Sequence, residues 1–277
     1  MKIAIVICYM GKLPWYFDYF VHSCKYNPTI DFFIISDDTT CKIRLPRNVI
    51  IIYKTIMDLN VMATMRFGFA VDIKRAYKLC DFKPTYGFLF SDLLGKYDFW
   101  GHGDIDVIFG NIRNFISSEV LSQNDLISVR HDFLTGYFLL FRNCDKMNIL
   151  FTKSKDYKRV LQSDIYLGFD ETSFQFNSFA EGKAFDTIPS EVESMMHVAK
   201  RMEQEGHIRA FFDFLVVEGV PGSLKWIKGS LFFRRKYEIL LYHMIHFKKK
   251  YSPKRRLRKM PETFNISKNR IYSSSVN

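Results

Sequence analysis

Lys2-Ile3-Ala4-Ile5-Val6-Ile7-Cys8 is a near-continuous apolar run at the start of the chain. A run with no polar alternation reads as a strand buried on both faces, hence one in a parallel sheet. Tyr9–Lys12 reads as a turn, and Pro14 suits the first turn of a helix. Trp15–Cys24 then shows helical spacing. Ile30–Ile35 (IDFFII) predicts a second buried strand, ending in Ser36-Asp37-Asp38, and Val49–Tyr53 (VIIIY) a third. Strand, helix, strand, loop, strand argues an α/β fold with a nucleotide-type cleft at the C-terminal ends of the strands.

Further along, Met57–Phe90 predicts two or three helices broken near Lys83-Pro84. Tyr97–Trp100 predicts a short strand running into Gly101-His102-Gly103-Asp104-Ile105-Asp106. Strands are expected at Leu126–Val129 and Leu134–Phe141, and helices at Met147–Val160 and Glu171–Ala180. Short strands are expected at Phe214–Val217, Leu224–Ile227 and Leu231–Phe233, and Glu238–Phe247 closes the compact body. The organisation expected is one catalytic domain over residues 1–250 and a basic C-terminal tail over 251–277.

The chain has 277 residues, 48% of them hydrophobic, enough for a sizeable core without disulfide or metal staples. Charged residues make up 25%, which excludes wholesale disorder. Aromatics at 17% suggest a thick core and an aromatic-lined cleft. The formal net charge is +11, but it is concentrated: His243–Asn277 holds ten Lys/Arg and one acid, Glu262, whereas residues 1–242 hold 30 basic and 28 acidic residues. A nearly neutral body argues against a nucleic-acid surface along the whole chain, and the basic end argues for a tethered patch suited to an anionic membrane surface. Five scattered cysteines without a CxxC suggest a reducing compartment and no zinc site. No signal peptide is evident, and no run of about 20 apolar residues would span a membrane. The expected location is the cytoplasm, peripheral on the inner face of the cell membrane.

Asp104-Ile105-Asp106 carries the strongest chemical signal. Carboxylates at i and i+2 on extended backbone point the same way and can share one hard divalent cation, Mn²⁺ or Mg²⁺, with room left for diphosphate oxygens. Gly101 and Gly103 let backbone approach a ligand closely. The competing reading is a solvated turn, but two unpaired carboxylates in so apolar a stretch would be costly to bury.

These features resemble the GT-A glycosyltransferase fold, a Rossmann-like mixed central sheet flanked by helices. The chain is most similar to a bacterial family of capsule and surface-polysaccharide gene clusters, formerly described only as a domain of unknown function. The shared stretches are Gly11-Lys12-Leu13-Pro14, Ser23–Phe32, Lys78-Leu79-Cys80-Asp81-Phe82-Lys83-Pro84, Tyr97–Asp106, Gly168-Phe169-Asp170-Glu171 and His246-Phe247-Lys248-Lys249-Lys250. Position 103 is Gly, where the family favours Cys or Ser. The resemblance implies a metal-dependent glycosyltransferase of hexosyltransferase type. It would move a sugar from a nucleotide-diphosphate donor, a UDP-sugar, to a glycan or lipid-linked acceptor in surface-polysaccharide synthesis.

It also implies roles. His246 is the expected third metal ligand beside Asp104 and Asp106, with His243 its rival; an imidazole nitrogen suits Mn²⁺ better than Mg²⁺. Lys248 or Lys249 would neutralise the departing diphosphate. Asp81 resembles the acid that faces the nucleotide or braces a basic residue, and Lys83 would touch phosphate; helix-end charge pairing is the alternative. Asp37 or Asp38 could hold a ribose hydroxyl or the uracil edge, against an Asx turn. Tyr9 could stack on the base, against plain packing. Asp170 or Glu171 would act at the acceptor hydroxyl or near the reacting sugar carbon, against a helix-capping role. Gly136, with His131 or Asp132, would line the sugar pocket. Two other classes remain open: a nucleotidyltransferase, disfavoured because Tyr9–Lys12 has a single Gly and a single Lys, and a non-enzymatic RNA- or lipid-binding module using the tail.

Overall fold

A computed structural model describes residues 1–213, 216–219, 222–253 and 259–273. In chain order the strands are β1 (Ile3–Cys8), β2 (Ile30–Ser36), β3 (Val49–Tyr53), β4 (Phe99–Gly103), β5 (Val107–Phe109), β6 (Leu126–Ser128), β7 (Phe138–Arg142) and β8 (Ala210–Phe212). They continue with β9 (Val216–Glu218), β10 (Leu224–Ile227), β11 (Ser230–Phe233), β12 (Tyr237–Glu238), β13 (Leu241–His243), β14 (Thr263–Ile266) and β15 (Ile271–Tyr272). The central sheet has seven strands in the order β3-β2-β1-β4-β7-β6-β8. β1 pairs parallel with β2 and β4, and β2 with β3; β7 alone is reversed, antiparallel to both β4 and β6. β8 pairs parallel with β6. The expected mixed α/β architecture, a mixed central sheet flanked by helices, is the one observed.

The apolar runs are explained by burial on both faces. In β1, Ala4 and Val6 join one core while Ile3, Ile5 and Ile7 join the other. β2 divides Phe33 and Ile35 from Phe32 and Ile34 in the same way, because successive side chains on a strand point to opposite faces. Helix α1 (Phe17–Lys25) covers one face through Phe17, Phe20 and Val21. The other is covered by α2 (Ile56–Phe67), by the 3₁₀ stretch Ala76–Thr85 and by the helix Met195–Gln204. Thr55 and Asp58 start α2 with a reciprocal capping box.

A third core lies under a five-stranded antiparallel sheet, β12-β11-β10-β14-β15, built around Trp226, Leu231, Phe264 and Ile266. This changes the expected tail. Thr263–Ile266 and Ile271–Tyr272 are strands of this sheet, not an appendage, because Phe264 and Ile266 are buried against β10. Lys254–Arg258, the centre of the expected basic segment, lie outside the described residues, as do Phe214 and Leu215 of one expected strand. The expected helix Met147–Val160 is instead three short turns, Asp145–Asn148, Leu150–Lys153 and the start of Tyr157–Gln162. The helix expected from Glu171 begins only at Phe176, since Ser173 and Phe174 adopt positive φ.

Candidate metal and sugar-nucleotide site

The C-terminal ends of β1, β2 and β4 lie along one edge of the sheet, as parallel pairing requires. Asp104 and Asp106 follow β4 on that edge. A separate three-stranded sheet, β5-β13-β9, decides what meets them. β13 pairs His243 with Val107 of β5 on one side and with Glu218 of β9 on the other. Asp106 immediately precedes Val107, so its carboxylate faces the imidazole: Asp106 Oδ2 lies 3.4 Å from His243 Nε2. Lys248 Nζ donates to the same oxygen at 2.6 Å. Asp104, Asp106 and His243 each offer one ligand atom, all within 4.8 Å of one another.

Two carboxylate oxygens and one imidazole nitrogen form a donor set that fits Mn²⁺ or a similar divalent ion. His243 Nδ1 makes no hydrogen bond and lies 3.7 Å from Glu218 Oε1. A carboxylate behind a ligating imidazole is the usual arrangement for fixing its tautomer and orientation. Glu218 is paired in turn with Arg130, which also grips Asp132. Burial alone would lower the His243 pKa and raise that of Asp106. Their mutual contact, with Lys248, outweighs burial: His243 is pushed up to about 9, and Asp106 is held well below the usual carboxylate range.

The second part of the site is built on Lys83. Its buried Nζ donates to Asp104 Oδ1 at 2.8 Å and to the Gly136 carbonyl at 3.0 Å, and lies 3.6 Å from Asp170 Oδ2. Burial opposes the charge on Lys83, but the carboxylates around it hold its pKa well above the ordinary value. The Gly136 N–H donates to Glu171 Oε1 at 2.6 Å. Tyr166 OH donates to Asp170 Oδ1 at 3.1 Å. Burial raises the pKa of both Asp170 and Glu171, only partly offset by Lys83 and, for Glu171, by the Gly136 amide. A Cβ at Gly136 would lie 2.4 Å from Asp170 Oδ2 and 2.9 Å from Glu171 Oε1. Only glycine lets the backbone approach both carboxyl groups.

The structure therefore brings together Asp104, Asp106, Lys83, Lys248, Asp170 and Glu171. It does not bring His246, which lies three residues beyond β13 on an exposed turn, with Phe247 taking the buried place. His243 is the histidine of the cluster. Asp81 does not face the cleft. It is fully buried, paired with Lys78 Nζ at 2.8 Å, and accepts the N–H groups of Leu167 and Phe169 at 2.9 and 2.8 Å. Lys78 also donates to the carbonyls of Val160 and Ile165 at 2.7 Å each. This pair anchors the loop that presents Asp170 and Glu171; it is an i,i+3 contact within the 3₁₀ stretch, which matches the charge pairing expected as the alternative for Asp81. Helix capping does not account for Asp170 and Glu171, which sit in that loop ahead of the helix.

Asp37 Oδ1 accepts from the Gly11 N–H at 2.6 Å and Asp38 Oδ2 from Leu13 at 2.8 Å, tying together the loops after β1 and β2. Tyr9 follows β1 on the same edge, its N–H donating to the Ile35 carbonyl at 2.8 Å. Tyr16 connects it to the cluster, because Lys248 Nζ lies 5.8 Å from the Tyr16 ring centre. Sequence reading missed Glu218, Arg130 and Tyr16. Nothing in the local pattern of Val216–Glu218 marks Glu218; only its register opposite His243 does.

The site and fold together define an α/β protein with an Asp-Asp-His cluster, a buried lysine (Lys83) and a partly exposed one (Lys248) at the C-terminal edge of its sheet. Residues 5–275 match a family of unknown function (DUF6625), and the chain belongs to that family. No curated protein matches it. Among solved structures it is similar to the galactosyltransferase LgtC in complex with donor and acceptor sugar analogues, at 12% identity and a TM-score of 0.36, over 78% of this chain and 75% of that one. It is also similar to mouse xyloside xylosyltransferase 1 in its apo form, at 8% identity and a TM-score of 0.43, over 88% of this chain and 97% of that one.

Proposed function

We propose that this protein is a metal-dependent glycosyltransferase of hexosyltransferase type that uses a nucleotide-diphosphate sugar, a UDP-sugar, as donor. The observation that supports it best is the Asp104–Asp106–His243 cluster with Lys83 and Lys248 on its carboxylates. Asp104, Asp106 and His243 would hold a divalent ion, which would supply positive charge against the diphosphate as the sugar leaves. Lys248, already beside Asp106, would offset part of the diphosphate's charge. Asp104 and Asp170 share Lys83, so a sugar attached to the diphosphate would reach toward Asp170 and Glu171. One of these carboxyl groups would act at the acceptor hydroxyl or beside the reacting sugar carbon. Asp37 and Tyr9, just beyond the ends of β2 and β1, would serve the nucleoside, Asp37 at the ribose and Tyr9 at the base.

The acceptor in this reading is a glycan or a lipid-linked saccharide of surface-polysaccharide synthesis, and the protein works in the cytoplasm at the inner face of the membrane. The support for that location is the run from Lys248 to Lys259, in which eight of twelve residues are Lys or Arg. Lys248 has another role here, since its ammonium is bonded to Asp106.

Calorimetric titration with UDP in the presence and absence of Mn²⁺, followed by a screen of nucleotide sugars, tests the reading. Mn²⁺-dependent UDP binding and release of nucleoside diphosphate from a sugar donor are expected, both abolished by a chelator. Release of pyrophosphate from a nucleoside triphosphate would indicate nucleotidyl transfer instead. Binding of neither nucleotide would remove both enzyme readings.

A further inference from the structure

Between α1 and the loop of residues 38–47 lies a cavity of about 1180 Å³ that the proposed reaction does not use. Among the described residues six cationic side chains line it: Lys12, Lys25, Lys42, Arg44, Arg47 and Lys259. They come from four separate stretches of chain, so their convergence is a product of folding and not of a local charge run. Among the described residues none of the six forms an ion pair, although ion pairs are frequent elsewhere on the surface. Two carboxylates, Asp18 and Asp38, also line it. Asp38 is already engaged by the N–H groups of Leu13 and Thr40 and by the Thr40 hydroxyl.

Among the described residues the cavity lining thus carries four more positive than negative groups, while residues 1–242 as a whole are close to neutral. Like charges held together in excess of their counter-charges repel, and a bound anion relieves that repulsion. Guanidinium forks at Arg44 and Arg47 match the planar faces of phosphoryl oxygens, and the lysines supply point charges around them. A single carboxylate would neutralise only part of the excess; a di- or oligophosphate neutralises most of it. Ile43, Leu45 and Met260 add partly buried apolar surface to the wall, which suits a phosphate carried on a hydrocarbon or a ring.

We propose that this cavity is a second anion site, binding di- or oligophosphate groups, separate from the Asp104–Asp106–His243 cluster. The two sites adjoin through the segment from Lys12 to Asp18. Lys12 and Asp18 line the cavity, while Tyr16 lies beside Lys248 in the candidate active site. The phosphate could belong to a soluble ligand or to a lipid headgroup, and the test distinguishes the two.

Full-length protein is titrated with tripolyphosphate in the presence of a chelator, so that the metal cluster cannot hold the anion through a cation. In a second arm, vesicles of phosphatidic acid in phosphatidylcholine are compared with phosphatidylcholine alone. Lys42→Glu with Arg44→Glu is the test variant; both side chains are exposed, and an unchanged melting temperature checks that it folds. Loss of two charge-assisted contacts is expected to weaken binding about tenfold or more. Weakening with tripolyphosphate alone assigns the site to a soluble phosphate ligand, and weakening in the vesicle arm assigns it to a lipid phosphate. Binding unaffected by the double substitution in both arms, or no binding in either, overturns the proposal. Lys248→Ala should leave metal-free tripolyphosphate binding intact; its loss in that variant would place the anion beside the Asp104–Asp106–His243 cluster and overturn the proposal as well. No metal or sugar nucleotide enters the test, so its failure leaves the glycosyltransferase reading standing, and the reverse holds too.

Discussion

Asp106 and Asp170 are both buried aspartates in one cleft, yet their surroundings push them in opposite directions. Asp106 has two cationic neighbours, Lys248 and His243, and its proton is released far more easily than usual. Asp170 shares one lysine with Asp104 and has Glu171 beside it, and its proton is held more tightly. The balance of neighbouring charge against desolvation decides which side chain gives up its proton readily and which holds it more tightly. The metal half of the site is therefore arranged for ionised oxygens, and the carboxyl half for groups that hold their protons more tightly.

Removing the metal half should produce the largest effect. Asp106→Ala is expected to lower sugar transfer by about a thousandfold or more, because diphosphate charge then goes unopposed. Folding should survive, since His243 can lose its proton and Lys248, about 30% exposed, can turn to water. A rate assay paired with thermal melting checks this, and transfer at the wild-type rate would detach the aspartate pair from the chemistry.

Neutralising the carboxyl half should separate binding from turnover. Asp170→Asn or Glu171→Gln, whichever group works, is expected to reduce transfer by about a hundredfold. UDP affinity should be unchanged, because the loss falls on the transition state and not on ground-state binding. If both variants transfer at full rate, the carboxyl half is only structural.

A smaller effect is expected at the third ligand. His243→Ala should weaken Mn²⁺ binding on the order of 50-fold, more than loss of an outer partner alone would. His246→Ala should leave it unchanged, because that ring stands on an exposed turn. Equal losses in the two variants would contradict the register that selects His243.

The smallest effect belongs to Glu218, which acts through His243 and not on the ion. Glu218→Gln should reduce Mn²⁺ affinity by about tenfold. Transfer measured at saturating Mn²⁺ should be nearly restored, a recovery that plain structural damage would not show.

How much of this was legible depends on how local the cause is. β1 and β2 announce themselves because burial on both faces removes polar residues from the strand, and the sequence shows that directly. The aspartate pair was legible for the same reason: two acids in an apolar stretch need an explanation. The choice between His243 and His246 was not legible. Three residues separate them, and only the pairing of β13 between β5 and β9 sets one against Asp106 and leaves the other outside. The basic end was misjudged as well, because Phe264 and Ile266 look unremarkable among lysines until β10 is there to bury them.

Composition and pattern alone determined the class of fold, the edge of the sheet where a ligand would bind, and the two acids at the centre of the site. These depend on hydrophobic burial and strand direction, which are written residue by residue. The tertiary structure decided the third ligand, the carboxylate behind it, the glycine that admits Asp170 and Glu171, and the inward turn of Asp81. Each depends on a partner distant in the chain, Glu218 for His243 and Leu167 and Phe169 for Asp81. A side chain's role there is fixed by register and desolvation, and both exist only once the strands have paired.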